Sequence, residues 1–206
     1  MAITFPQAVA EIKADVGYAL SAVAIERVCA EIGHDYRNRV LDPVTTVHAF
    51  LLQILHGNTA CSNLPHLVGK SFSAAAYVNA RTRIPLTLFD RLFDDVTKGL
   101  YSLGQDASLW HGHRTWHLDG SSFSMADVPE LQEAFGQPGA QKKGCGFPVA
   151  HFLALFHAKA AFLQRVIPSP LRTHDMANAA DMHPEMRKGD ILVADRGFAS
   201  FTIWRW

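Results

Sequence analysis

Charge is scarce in this chain, and what there is balances. Asp, Glu, Lys and Arg make up 18% of its 206 residues, with 19 basic residues against 19 acidic ones. So little charge beside 49% hydrophobic residues excludes a disordered, collagenous or coiled-coil chain. The balance also holds locally: the stretch before Leu103 carries 9 basic and 9 acidic residues, and the stretch after it 10 and 10. Neither half attracts a polyanion by bulk charge, so any nucleic-acid role rests on the placement of a few cations. Cysteine is scarce too. Cys29, Cys61 and Cys145 are odd in number and outside any CxxC pattern, which argues against a disulfide framework or a Cys-based zinc site and suits a reducing cytoplasm. No apolar run reaches the roughly 18 residues of a membrane span; the longest, Phe147 to Phe156, contains Pro148 and His151. The N-terminus carries Glu11 and Asp15 early and lacks the basic-then-apolar order of a signal peptide. The expectation is a cytoplasmic protein without a membrane partner. The Gly-x-Ser-x-Gly elbow, the H-E-x-x-H helix, the Rossmann fingerprint and the Walker loop are all missing, so esterase, zincin, dehydrogenase and P-loop chemistry lack support.

What is present begins with length enough for one large domain or two small ones, each able to bury a core. Histidine is the compositional oddity: 11 in all, 7 of them after residue 103, so net charge varies between about pH 6 and 7. The first half has helical periodicity. Val9, Ile12, Val16, Leu20, Val23 and Val28 recur at three- and four-residue steps from about Pro6 to Ile32. Asp42-Pro43 is a strong helix start; Val44, Val47, Phe50, Leu51, Ile54 and Leu55 then form one stripe, and Gly57 ends it. Shorter helices are expected at Cys61–Val68, closed by Gly69, and at Ser73–Arg83, stopped by Pro85. Another covers about Leu86 to Leu103. The three helices between Val44 and Arg83 have the lengths and turns of a helix-turn-helix bundle. The last presents Tyr77, Asn79, Arg81 and Arg83, residue types that contact phosphates and base edges. An ordinary helical bundle with a polar outer face fits the same spacing.

Character changes after Gly104. Arg114–Asp119 alternates and breaks at Gly120, as a strand ending at Asp119 would. Phe135–Gly146 is a loop rich in Gly, Lys and Pro. The apolar runs Phe147–Phe156 and Ala160–Ile167 suit an antiparallel hairpin. Asp175–Arg187 is helical in part, interrupted by Pro184, and Asp190–Asp195 is a short buried strand before the turn Arg196-Gly197. The order is three strands, a helix, then a fourth strand, which divides the chain into a helical region, 1–104, and an α/β region, 105–206.

Three groups of residues could carry chemistry. Asp119 and Asp195, each at a strand end, could hold a divalent metal between them if the fold brings them together; Asp before Gly is equally a common turn residue. His113 and His117 share a face with Asp119 if the stretch is extended throughout. No second cluster with metal-ligand spacing accompanies them, which favours exposed or structural histidine. Lys142 and Lys143, beside glycines, suit either a phosphate grip or a solvated loop.

Residues 116–127 (WHLDGSSFSMAD), 135–151 (FGQPGAQKKGCGFPVAH) and 190–200 (DILVADRGFAS) together resemble bacterial insertion-sequence DDE transposases of family four. Stretches 44–57 and 71–85 resemble the helical leader of those proteins, so the likeness covers roughly residues 43–204. It implies an α/β (α+β) chain: an N-terminal helical bundle, then a mixed sheet with helices that forms an incomplete ribonuclease H-like core. Asp119 and Asp195 would be two of three catalytic acids binding Mg²⁺ or Mn²⁺ for in-line attack on DNA phosphodiesters. The partners implied are double-stranded DNA at the element's terminal inverted repeats, contacted by Tyr77, Asn79, Arg81, Arg83, Lys142, Lys143 and Arg196, and a homodimer or a full-length transposase. The family's third acid, a Glu on a later helix, has no counterpart, since the chain stops at Trp206; Glu185 precedes the second Asp and is no substitute. The expectation is an N-terminal part of a transposase, catalytically incomplete, with an exposed apolar edge on its fourth strand and marginal solubility. A binding-only inhibitor, a metal-dependent phosphohydrolase and a non-functional remnant are the alternatives.

Overall fold

The computed structural model describes residues 20–104, 109–140, 142, 146–158, 162–173 and 175–198. Helices and a mixed sheet give an α+β composition, and the chain divides into two compact units, Met1–Gly99 and Leu100–Trp206.

The described part of the first unit is helical. Helix α1 (Ala22–Glu31) starts where the Ser21 side chain accepts the Ala24 N–H; the earlier turns of the expected helix, residues 6–19, lie outside the described residues. Helix α2 (Pro43–Leu55) has the start expected of Asp42-Pro43, with the Asp42 carboxylate accepting the Thr45 N–H at 2.7 Å. A 3₁₀ turn, Cys61–Asn63, leads into α3 (Leu64–Val68), which ends on Gly69 at φ +71°, a left-handed conformation that suits glycine. Helix α4 (Ala74–Arg83) is capped by Ser73 and stops as Ile84 turns extended before Pro85; α5 spans Leu86–Gly104. Two cores hold these helices. Ile25, Val28, Cys29, Val47, Leu88 and Leu92 knit α1 to α2 and α5. Ala49, Leu64 and Tyr77, one from each of α2, α3 and α4, form the second. Each fully buried aliphatic side chain here contributes about 1.5–3 kcal/mol. Burial also pushes the Cys29 thiol above its ordinary pKa, which keeps it protonated and unreactive.

In the second unit, β1 (Leu109–Trp110) turns through His111 and Gly112, both at positive φ, into β2 (His113–Ser124). Strands β3 (Val149–His157) and β4 (Leu163–Pro170) continue antiparallel, the expected hairpin. Helix α7 (Asp175–Ala179) runs on as a 3₁₀ segment, Ala180–Glu185, that contains Pro184. Strand β5 (Ile191–Ala194) then pairs parallel to β2, so β2 lies between β3 and β5. Trp116 and Leu118 point to one face of the sheet and pack with Leu153, Leu155, Ala179, Met182 and Phe198.

The second unit corrects three expectations. Strand β2 does not end at Asp119: it continues through Gly120 to Ser124, because β3 pairs with it residue by residue as far as Val149 opposite Ser124. Strand β5 is half-buried rather than buried, with Val193 49% exposed, because among the described residues it pairs only with β2. Helix α6 (Pro129–Phe135) occupies what sequence reasoning left without an element, with Pro at its first position and Gly136 after its end.

Candidate functional site

The parallel register between β2 and β5 builds the most informative site. Thr115 lies opposite Ile191, Trp116 opposite Leu192, His117 opposite Val193 and Leu118 opposite Ala194. Asp119 and Asp195 are the residues that follow the last of these pairs, Leu118 opposite Ala194, so the same register carried one step further would bring them opposite each other. Leu118 and Ala194 face the core, so strand alternation turns Asp119 the other way; Asp195, the residue after β5, is exposed like Asp119. Each carboxylate is held by a neighbouring glycine: the Gly120 N–H donates to Asp119 Oδ1 at 2.9 Å, and the Gly197 N–H to Asp195 Oδ1 at 2.7 Å. Among the described residues neither aspartate pairs with a cationic side chain. Two exposed carboxylates at one end of a parallel ladder are hard oxygen donors, open to water and uncompensated.

The pairing is locked at its other end. Asp190, just before β5, accepts from both Arg114 Nη2 and Nε, from Trp116 Nε1 at 2.9 Å and from the Arg187 N–H at 2.8 Å. Burial pushes the Asp190 carboxyl up, but Arg114, the Arg187 N–H and Trp116 outweigh it, and its pKa falls below the ordinary carboxylate value. His113 Nδ1 lies 2.7 Å from the Gly189 carbonyl and adds a second tie. This clamp went unnoticed in the sequence, although Asp190 stands in the same quoted motif as Asp195.

The strand is extended throughout, so His117 shares the outer face with Asp119. Even so, the described residues contain no group of three His, Cys, Asp or Glu side chains able to hold a metal. Arg196 is exposed at the start of a 3₁₀ turn, Arg196–Phe198. Lys142 is exposed, with its carbonyl accepting from Gln137 Nε2 at 2.7 Å; Lys143 lies outside the described residues.

In the first unit the expected DNA-contacting residues divide. Asn79 and Arg83 are exposed on α4. Arg81 is exposed as well, but its guanidinium lies over the Phe50 and Tyr77 rings at 5.8 and 5.7 Å. Tyr77 is a correction: it is fully buried, and its hydroxyl donates to Gln53 Oε1 at 3.0 Å. A side chain with no exposed surface cannot meet a phosphate or base edge, so Tyr77 is a core post that supports Arg81. Its helical phase, three residues after Ala74 and three before Ala80, was the signal for an inward position.

Among the described residues no helix is long and apolar enough to cross a membrane. No family model matches the chain, and no solved structure matches it. Over 127 residues it is 25% identical to the "Putative transposase InsZ" of Escherichia coli (strain K12), a span of 61% of this chain and 42% of that protein. The chain therefore spans less than half the length of this relative. The similarity supports a relationship to the transposases of insertion sequences.

Proposed function

We propose that the chain serves DNA transposition as part of a DDE transposase of insertion-sequence family four. In this reading Asp119 and Asp195 hold Mg²⁺ or Mn²⁺, and the helical unit contacts double-stranded DNA at element ends. The observation that supports it is the parallel β2–β5 register, whose last pair, Leu118 opposite Ala194, immediately precedes the two aspartates although these lie far apart in sequence. The strand arrangement adds support: antiparallel β2, β3 and β4, a helical segment, then β5 parallel to β2 is the order expected of a ribonuclease H-like core. The donor set fits the cation, since exposed carboxylate oxygens without basic partners suit a hard divalent ion that keeps several waters. When bound, such an ion activates an attacking oxygen and stabilises the leaving oxygen at a phosphodiester.

The chain's own residues supply orientation. Gly120 and Gly197 N–H groups each hold one carboxylate oxygen, while the Arg114–Asp190 clamp ties β2 to the start of β5. In this reading Asp119 and Asp195 offer an ion two carboxylates, so metal binding is weak and the chain by itself is inactive in strand transfer. A second reading, in which the chain binds element ends and competes with a complete transposase, rests on the exposed Asn79, Arg81 and Arg83 of α4.

Titration with Mn²⁺ by calorimetry tests the metal assignment: weak saturable binding is expected, lost in Asp119→Asn and in Asp195→Asn. Binding that survives both substitutions would sink it. Metal-dependent nicking of element-end DNA by this chain, abolished by Asp119→Ala, would refute the inactivity.

A further inference from the structure

The first unit holds a cavity of about 490 Å³ for which the aspartate site has no use. It is walled by the segment joining α1 to α2, by the first turn of α2 and by the C-terminal end of α4. Arg37, Arg39 and Arg83 all line it, and all three are exposed. Elsewhere in this unit arginines are occupied: Arg27 pairs with Glu31 and Asp95, Arg91 pairs with Glu31, and Arg81 lies over aromatic rings. Among the described residues Arg37, Arg39 and Arg83 pair with no carboxylate. Among the described residues Asp35 is the one acidic side chain on the wall, so their charge at the cavity is net positive in a chain whose total is zero.

Guanidinium groups present paired N–H donors at the spacing of phosphate oxygens, and several around one concavity select a phosphate over a lone halide or a cation. The wall also carries two rings, His34 and Tyr36, stacked 6.0 Å apart at 29°, an apolar surface beside the cations of the kind a sugar or base lies against. On α4, Arg83 stands four residues beyond exposed Asn79 and so on the same helix face. The cavity therefore continues the face that would lie against a duplex.

We propose that this cavity is a phosphate clamp, in which Arg37, Arg39 and Arg83 grip a DNA backbone phosphate without reading sequence. The proposal rests on the reading of the helical unit as a DNA-contacting module and adds a site to it. Two arginines separated by one residue in the segment Tyr36-Arg37-Asn38-Arg39 thereby join Arg83, whose role was expected from the helix alone.

The test is metal-free DNA binding by the full chain, followed by fluorescence anisotropy across a range of salt concentrations, on duplexes of element-end and unrelated sequence. Arg37→Gln and Arg39→Gln should each flatten the slope of log K against log salt, and the double variant should flatten it by up to about 0.9 and weaken binding by up to about eightfold near 0.1 M salt, equally on both duplexes. Arg37→Lys and Arg39→Lys should keep the slope. Thermal melting of each variant reports whether it is folded. Intact DNA binding with an unchanged slope in both Gln variants overturns the clamp while leaving the DNA reading in place. A wild-type chain that binds no DNA overturns both. Inorganic phosphate separates the sources: saturable phosphate binding lost in the Gln variants, with the DNA slope unaltered, would make free phosphate the ligand and overturn the proposal.

Discussion

Replacing Gly197 with alanine tests whether the carboxylate of Asp195 acts through its orientation. The Gly197 N–H donates to Asp195 Oδ1 at 2.7 Å, and a methyl group at Gly197 would lie 2.8 Å from that oxygen and 3.6 Å from Cγ. A carbon cannot approach so closely, and the three nearest atoms all belong to the Asp195 side chain. Because Asp195 is exposed, the carboxylate swings into water and the backbone need not move. Losing the hydrogen bond costs about 1 kcal/mol, and alanine's preference over glycine in a helical turn returns about 0.5–1 kcal/mol. Net stability should stay within about 1 kcal/mol of the parent. Metal affinity should not: losing the group that orients a ligand typically costs about 10- to 100-fold. Calorimetric titration with Mn²⁺, run beside thermal melting, separates the two quantities. An unchanged Mn²⁺ affinity in Gly197→Ala, with binding abolished in Asp195→Asn, would refute the claim that Gly197 sets the carboxylate.

Two further outcomes concern the second unit's stability. Asp190→Ala strands Arg114, whose side chain is 13% exposed beside the 8% of Asp190, and should destabilise the unit by about 3–5 kcal/mol in urea denaturation; a loss under 1 kcal/mol would show that the clamp is not what joins β5 to β2. His157 is 2% exposed, stacked on Phe162 and edge-on to Trp116, and burial, with Arg114 nearby, lowers its pKa below the ordinary value. The folded state therefore binds this proton less readily than the unfolded state. Its penalty is absent above the unfolded pKa of about 6.5 and grows as pH falls below it, by up to about 1.4 kcal/mol per unit until the folded pKa is reached. Melting temperature should drop from pH 7.5 to 5.5 in the parent and drop less in His157→Gln; equal slopes would exclude His157 as the cause.

Local signals made the helical unit legible because each was self-contained. Asp42-Pro43 before the apolar stripe, Gly69 after Val68 and Ser73 before the alanines each fix a helix end through a bond to a nearby backbone group. The sheet was harder to read because its strands depend on partners. Gly120, Ser121 and Ser122 have low strand preference, and only β3 opposite them keeps β2 extended to Ser124. The same distinction governs the site. Asp119 and Asp195 could be picked out from their places in motifs, but the pairing of β2 with β5 that precedes them is a long-range register, tied by Asp190, a partly buried acceptor shared by Arg114, Trp116 and the Arg187 N–H. Tyr77 shows the converse error: residue type suggested a DNA contact, whereas helical phase places it against Ala49 and Leu64. Residue type identifies what a side chain can do, while burial and register decide whether it is in a position to do it. Asp190 and Asp195, five residues apart, illustrate the point: the first is partly buried and paired with Arg114, the second is exposed and without a basic partner among the described residues, and only the second is available to a cation.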